Sequence, residues 1–198
     1  FIVDSPKVFF DKKLLNARGA AIKGFSQLMD KTVFLLDENL NLKIDVFTNF
    51  LKSNSKEQFV IFGFTSFIWQ HLLKKIKNKN FIKMKNGILI HGGGWKKMEA
   101  MKISNKIFKK RLLSKIKLKN IYNYYGLVEQ TGSIFIECSK CGCFVTSIFS
   151  DILIRDKHFN VLSNGKKGLI QLFSLLPTSY PGHSILTEDI GEIINEDG

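Results

Sequence analysis

The chain has 198 residues, of which 44% are hydrophobic, and this suits a single domain with a core rather than a disordered segment. Lysine and arginine outnumber aspartate and glutamate by 30 to 17, but only three of these cations are arginines. Because the lysines are scattered, we expect a solvated basic surface and no dedicated nucleic-acid site. No run of about 18 uncharged apolar residues predicts a membrane span.

The ends and the cysteines of the chain indicate its context. The chain opens on Phe1 rather than Met and closes on the turn-like residues Asn-Glu-Asp-Gly, so we expect a central piece of a longer protein. Three cysteines crowd into residues 138–143, which is not the spacing of a disulfide framework. A reducing, cytoplasmic setting is therefore the expectation.

Apolar runs typical of strands alternate with helical patterns along most of the chain. In chain order we predict strand Phe1–Val3, helix Leu14–Met29, strand Thr32–Leu36, helix Ile44–Leu51, strand Phe59–Phe62, helix Thr65–Ile76, strand Gly87–Ile90 and helix Ile103–Ile116 with a cap near Ser104. The later predicted strands are Ile121–Tyr125, Ser133–Glu137, Asp151–Arg155 and Gly168–Phe173. The alternation predicts an α/β fold, with a mostly parallel sheet, flanking helices and later mixed or antiparallel strands.

Ligands of α/β folds bind beyond the carboxyl ends of strands, and three loops carry unusual residues. His91–Trp95 (HGGGW) lets a backbone approach a planar or anionic ligand, or else forms only a tight turn. Asn123–Gly132 (NYYGLVEQTG) offers an aromatic ring to a nucleobase and a carboxylate to Mg²⁺, or else is a plain surface loop. Ser179–Gly191 contains Thr-Glu-Asp, whose acids can accept hydrogen bonds from a sugar diol.

These three segments, in this order, resemble the nucleotide site of the adenylate-forming ligases, the acyl-CoA synthetase and luciferase superfamily. NYYGLVEQTG is similar to the core motif NxYGxTE, HGGG to the Gly-Gly adenine loop and LTEDIG to the ribose motif. More narrowly, the chain resembles the acyl-protein synthetases of the bacterial fatty-acid reductase, the LuxE-like family. That resemblance rests on NARGA, FGFT, HGGGWKKME, YYGLVEQTGSIFIEC, SDILIRD and LLPTSYPGHSILTEDIG.

The resemblance implies activation of a carboxylic acid, typically a long-chain fatty acid, by ATP and Mg²⁺ to an acyl-adenylate. The acyl group then passes to a protein thiol and on to a partner acyl reductase. Residues 1–198 would be the central and C-terminal part of the large domain. An upstream phosphate loop and a downstream lysine-bearing domain would lie outside this piece, which we expect to be inactive alone. The alternatives are a phenylacetate-type acyl-CoA ligase and, from other classes, a basic nucleic-acid-binding module or a non-catalytic scaffold.

Carried over by motif, the resemblance also implies residue roles. Tyr125 would stack on the adenine, Glu129 would ligate Mg²⁺ and Asp189 would bind the ribose hydroxyls. Val128 stands where the motif has Thr, so Thr131 is expected to join Glu129 as a catalytic residue by contacting phosphate. The implied nucleotide-binding residues are Gly92, Gly93, Gly94, Tyr125, Gly126, Glu129 and Asp189. The implied acyl pocket is formed by Phe64, Thr65, Phe67 and Ile68.

The cysteine cluster allows two interpretations. Cys138 and Cys141 form a CxxCG pattern, which supplies two of the four ligands of a structural zinc site. The other ligands would then lie beyond residue 198. Alternatively, the segment is a hairpin turn that happens to be rich in cysteine.

Overall fold

A computed structural model describes residues 1–10, 17–53, 56–76, 84–130 and 132–194. The chain divides into two compact units, Phe1–Asn123 and Tyr124–Gly198. The helices are α1 (Lys7–Phe10), α2 (Ala17–Gln27), α3 (Ile44–Ser53), α4 (Thr65–Phe67) and α5 (Asn105–Ile116), with a 3₁₀ segment at Lys96–Met101. The strands are β1 (Phe59–Phe64), β2 (Gly87–Gly92), β3 (Asn120–Tyr125), β4 (Phe135–Glu137), β5 (Phe144–Val145), β6 (Ser150–Arg155), β7 (Gly168–Ser174) and β8 (Ser184–Gly191).

Parallel pairing organises the first unit. β1 and β2 pair in parallel from Phe59 opposite Gly87 to Phe64 opposite Gly92. Ile2 forms single parallel bridges on both of its sides, to Phe34 and to Phe62. Strands covered on both faces are apolar throughout, which explains why FVIF and GILI predict strands; β1 continues two residues further, to Phe64. The predicted strands at residues 1–3 and 32–36 are reduced to isolated bridges.

The chain enters a helix directly after β1, as the apolar stripe predicts. This helix begins as α4 and continues as a π-helix over Ile68–Leu73. Its wider hydrogen bonding is seen where the Lys74 N–H donates to the Trp69 carbonyl at 3.1 Å. The Lys115 amine, on α5, donates to the carbonyls of Leu73 at 2.6 Å and Ile76 at 3.4 Å. A cation thus stabilises the carboxyl end of the neighbouring helix.

Helix α5 has the ends that its sequence predicts. The Ser104 hydroxyl accepts a hydrogen bond from the Ile107 N–H at 3.3 Å, and Lys117 ends the helix in the left-handed region at φ +58°. The helix buries a stripe against the core of the first unit, in which the side chains exposed by at most 1% include Phe47, Ile61, Ile68, Leu72, Leu89, Phe108 and Leu112.

Antiparallel pairing organises the second unit. β3 and β4 pair with Tyr125 opposite Phe135, and β4 pairs with β5 through a short hairpin. Strands β6, β7 and β8 form a separate antiparallel sheet in that order. The larger sheet has the order β1-β2-β3-β4-β5, so the predicted α/β class with a parallel part and later antiparallel strands is confirmed. Across the described ranges, no helix is long and apolar enough to cross a bilayer.

The prediction of a loop over residues 179–191 is wrong for most of that segment. Ser184–Gly191 forms β8, which pairs with β7. Few residues of β8 are buried, and most are exposed. The usual alternation of apolar and polar residues is therefore missing, and the acidic pair within it is typical of a loop.

Candidate functional site

A buried polar cluster joins the carboxyl ends of β1 and β2 in the first unit. The Thr65 hydroxyl donates to the carbonyl of Gly92 at 3.1 Å and lies 3.0 Å from Nδ1 of His91. The Thr65 hydroxyl has a single proton, which it donates to the Gly92 carbonyl. Nδ1 of His91 therefore carries a proton and donates it to the Thr65 oxygen. The His91 ring is 2% exposed and packs against Phe108. This cluster fixes the point at which the glycine loop leaves β2.

The glycine loop itself requires glycine for two different reasons. Gly93 and Gly94 have φ values of +73° and +61°, a region that costs other residues energy. A Cβ at Gly93 would also overlap the ring of Phe64, whereas one at Gly94 would meet nothing within 4 Å. Gly94 therefore offers a backbone edge with open space above it, as the predicted adenine contact needs.

The four predicted acyl-pocket residues lie close together at the end of β1 and in the helix that follows it, but their surroundings differ. Phe64 is buried beneath Gly93, and Thr65 belongs to the buried polar cluster. Phe67 is half-buried and lies under the guanidinium of Arg18, 4.3 Å from its ring centroid. Ile68 is completely buried in the core. Their role toward an acyl chain stays a prediction.

The NYYGLVEQTG segment lies in the second unit at the end of β3. Its predicted magnesium ligand, Glu129, is exposed at a turn, and the predicted catalytic Thr131 lies outside the described residues. Gln130 was not singled out by the sequence, although it is completely buried. Its amide donates to the carbonyls of Gly182 at 2.9 Å and Leu172 at 3.4 Å. The only sequence signal for this role was a long polar side chain within a motif. In the structure, the Gln130 side chain links the NYYGLVEQTG segment to the segment that precedes β8.

The ribose-motif segment forms a bulge in β8. Pairing with β7 stops at Leu186 opposite Gln171 and resumes at Ile190 opposite Leu169. Residues 187–189 thus stand opposite a single residue of β7. The Thr187 hydroxyl fixes this bulge by donating to the Ile170 carbonyl at 2.9 Å and accepting from the Asp189 N–H at 3.2 Å. Bulges redirect side chains and are common beside active sites.

The bulge brings Asp189 to Tyr125, two predicted nucleotide-binding residues 64 positions apart. The Tyr125 hydroxyl donates to Oδ2 of Asp189 at 2.7 Å. The Tyr125 ring lies 6.1 Å from those of Phe135 and Phe144. Burial in the first place, and then the neighbouring carboxylate of Asp189, raises the pKa of the Tyr125 phenol. Gly126 follows Tyr125 at the strand end, where a Cβ would meet the Ser133 carbonyl at 3.0 Å.

The predicted residues therefore form two groups, one in each unit. Tyr125 and Asp189 are in direct contact within the second unit. The glycine loop and the acyl-pocket residues belong to the first unit. That these groups serve one nucleotide stays a prediction.

The cysteine segment forms the hairpin between β4 and β5, and the sulfurs of Cys138 and Cys141 accept backbone hydrogen bonds. The Lys140 N–H donates to Sγ of Cys138 and the Cys143 N–H to Sγ of Cys141, both at 3.4 Å. Gly142 allows the turn at φ +76°. The backbone N–H groups of Cys141 and Lys140 lower the pKa of the Cys138 thiol, whereas a hydrogen bond with Cys141 raises that of Cys143. Both earlier interpretations are compatible with this hairpin, and its geometry favours thiolate at Cys138.

Glu129, the predicted magnesium ligand, has the chemistry that such a role needs. Mg²⁺ is commonly held by one or two carboxylates together with substrate phosphates, and Glu129 is an exposed carboxylate of that kind. Among the described residues, no group of three or more His, Cys, Asp or Glu side chains could hold a metal ion without further ligands. That Glu129 holds Mg²⁺ stays a prediction.

Solved structures share this fold at low sequence identity. They include ATP-bound MatB from Rhodopseudomonas palustris, at 13% identity over 76% of this chain and 31% of that chain, with a TM-score of 0.51. The luciferase-like enzyme of the mealworm Zophobas morio has 18% identity over 89% of this chain and 43% of that chain, with a TM-score of 0.58. The amide bond synthetase McbA from Marinactinospora thermotolerans has 13% identity over 91% of this chain and 37% of that chain, with a TM-score of 0.54.

The chain thus spans roughly a third to two-fifths of the length of these structures. No curated protein matches it significantly. The family of acyl-protein synthetases designated "Acyl-protein synthetase, LuxE" matches residues 2–198. With the motif residues placed at the strand ends and on the β8 bulge, this match over nearly every residue means that the chain belongs to the LuxE acyl-protein synthetase family.

Proposed function

We propose that the full-length protein activates a carboxylic acid with ATP and transfers the acyl group to a protein thiol. The observation that carries this proposal is the family match over residues 2–198. The fold shared with ATP-bound MatB supports the use of ATP. A long-chain fatty acid is the proposed substrate, and an acyl reductase is the proposed partner that finally receives the acyl group.

In the first half-reaction, a carboxylate oxygen attacks the α-phosphorus of ATP. The bond from that phosphorus to the bridging oxygen of the β-phosphate breaks, so pyrophosphate leaves and an acyl-adenylate remains. In the second, a thiolate attacks the acyl carbonyl carbon, a thioester forms and AMP leaves. Neither step changes an oxidation state, and the first needs no protein nucleophile.

The roles proposed for this chain concern binding and charge. The glycine loop lies along the adenine edge, Tyr125 stacks on the base and Asp189 accepts hydrogen bonds from the ribose. Glu129 would hold Mg²⁺, which offsets the repulsion between the anionic carboxylate and the phosphates. Phe67 is the proposed acyl-pocket residue with the most accessible side chain, since it is half-buried. Positioning the two anions supplies much of the remaining rate enhancement.

Pyrophosphate exchange into ATP by the full-length protein tests the first step. We expect exchange that requires a long-chain fatty acid and Mg²⁺, and that falls at least tenfold in Glu129→Gln. Glu192→Gln changes another exposed acid and should retain wild-type exchange. Absence of exchange with any carboxylic acid would leave the non-catalytic scaffold as the better description.

Identifying the thiol that accepts the acyl group distinguishes an acyl-protein synthetase from an acyl-CoA ligase. Labelled fatty acid should become bound to protein in a hydroxylamine-sensitive linkage, as expected of a thioester, without added coenzyme A. Formation of acyl-CoA, with no labelled protein, would favour the phenylacetate-type ligase instead.

We also propose that Cys138 and Cys141 supply two ligands of a structural zinc site. Support comes from the CxxCG spacing, which supplies two ligands of a zinc site, and from the hairpin geometry, in which one backbone N–H donates to Sγ of Cys138 and another to Sγ of Cys141. Purified full-length protein should contain close to one zinc per chain, and the double variant Cys138→Ser, Cys141→Ser should lose it. Cys143→Ser is the matched control and should retain the metal. Zinc-free wild-type protein would reduce the segment to a cysteine-rich turn.

A further inference from the structure

The hydrogen bond between Tyr125 and Asp189 links two residues to which separate roles are proposed. One residue is expected to contact the base and the other the sugar. The donor–acceptor distance of 2.7 Å is short, as is typical of a hydrogen bond to a carboxylate. The phenol is half-buried, whereas Asp189, whose carboxylate accepts the bond, is exposed.

The Asp189 side chain needs a hydrogen-bond partner to fix its direction, because its backbone lies in a bulge. It lies at the end of a bulge in which three residues of β8 stand opposite one residue of β7. Regular ladder pairing does not fix the direction of a side chain there. Thr187 holds the backbone of the bulge through its hydroxyl, whereas the Asp189 carboxylate itself is held by Tyr125.

We infer that the Tyr125 hydroxyl is a positioning group, which holds the Asp189 carboxylate in the orientation that receives the ribose hydroxyls of the nucleotide. This inference rests on the proposed function, since it concerns the same nucleotide site. Oδ2 of Asp189 accepts from the phenol, and the acceptor sites that the carboxylate keeps, on Oδ1 and on the second lone pair of Oδ2, are presented to the sugar. The ring of Tyr125 and its hydroxyl then have different tasks: the ring contacts the base, and the hydroxyl acts through Asp189.

Tyr125→Phe separates these tasks because it removes only the hydroxyl. We expect the variant of the full-length protein to bind AMP about tenfold more weakly, the loss usual for one hydrogen bond to a charged group. Wild-type and variant proteins should bind 2′,3′-dideoxy-AMP equally, since that ligand lacks the hydroxyls that Asp189 would receive. Asp189→Asn should weaken AMP binding, and adding Tyr125→Phe to it should have less than a twofold further effect.

Tyr122→Phe is the matched control, on the same strand and also half-buried, and should bind AMP as the wild type does. Unchanged AMP affinity in Tyr125→Phe would overturn the inference. So would an equal loss for AMP and the dideoxy ligand, because the hydroxyl would then act on the base or on the fold. Failure of the wild type to bind AMP would instead count against the proposed function.

Ultraviolet titration of the phenol tests the hydrogen bond without any nucleotide. The Tyr125 contribution is the difference between wild type and Tyr125→Phe. In the Asp189→Asn background, we expect the pKa of this phenol to fall, because the neighbouring negative charge is gone. An unchanged pKa would show that the bond does not form in solution and would overturn the inference independently of nucleotide binding.

Discussion

Gly93 and Gly94 are adjacent residues with similar backbone angles but different surroundings, and this makes them a matched pair. Alanine at either position should cost about 1–2 kcal/mol, because both have positive φ. Only at Gly93 would the added Cβ overlap the Phe64 ring. We therefore expect Gly93→Ala to lower the free energy of unfolding by about 1–3 kcal/mol more than Gly94→Ala does. Equal values in urea denaturation would mean that the loop does not pack on Phe64.

The buried polar cluster at Thr65 gives a second prediction for a single side chain. Thr65→Val removes the hydroxyl that contacts both His91 and the Gly92 carbonyl, and should cost about 1–3 kcal/mol in the free energy of unfolding. Thr65→Ser keeps the hydroxyl and should cost less, about 1 kcal/mol for the lost methyl group. The order of the two denaturation midpoints is the measurement. A less stable serine variant would show that the methyl group matters more than the hydrogen bonds.

At the scale of elements, α5 allows the same substitution to be compared at two positions. Ser104 caps the helix by accepting from the Ile107 N–H, so Ser104→Ala should destabilise the protein by about 1 kcal/mol. Ser114 lies within the helix and is exposed, and its hydroxyl donates to the Arg111 carbonyl. Alanine is the better helix former there, so Ser114→Ala should leave the melting temperature unchanged or raise it. A neutral Ser104→Ala would contradict the capping role.

The sequence predicts best those elements whose residues all indicate the same secondary structure. β1 and β2 are apolar on both faces, and α5 has a cap residue before an apolar stripe, so their positions were predicted closely. β8 was missed because Glu188 and Asp189 interrupt its pattern, and only the bulge opposite Ile170 makes that sequence compatible with a strand. Local residue patterns do not encode such a bulge, since Ile170, the residue that it faces, is 17 positions away from Thr187.

At the scale of the whole molecule, the fold class followed from the alternation of strands and helices, and the motif residues followed from a family resemblance. The contact between Tyr125 and Asp189 could be expected only as a shared ligand site. Their direct hydrogen bond depends on the pairing of β7 with β8 and on the end of β3. The role of Gln130 likewise depends on residues far away in the sequence. Its buried amide is paired with the carbonyls of residues 172 and 182, and spacing alone cannot predict that pairing.

Alkaline pH should destabilise the whole molecule through its buried tyrosines. Burial raises the pKa of Tyr124 to about 12, whereas an unfolded tyrosine ionises near 10. Below pH 10 both states keep the proton, so the contribution of Tyr124 to stability is fully present. As pH rises from 10 to 12, the unfolded state loses the proton first, and this contribution is lost at about 1.4 kcal/mol per pH unit. Tyr125, whose pKa is also raised, adds to the same loss.

Lysines also titrate in this range, so the informative quantity is a difference between proteins. We expect the free energy of unfolding of Tyr124→Phe, relative to wild type, to rise by about 2 kcal/mol between pH 9 and pH 12. Urea denaturation at several pH values measures this difference. Parallel curves for wild type and Tyr124→Phe would mean that the phenol of Tyr124 ionises as readily in the folded protein as in the unfolded chain.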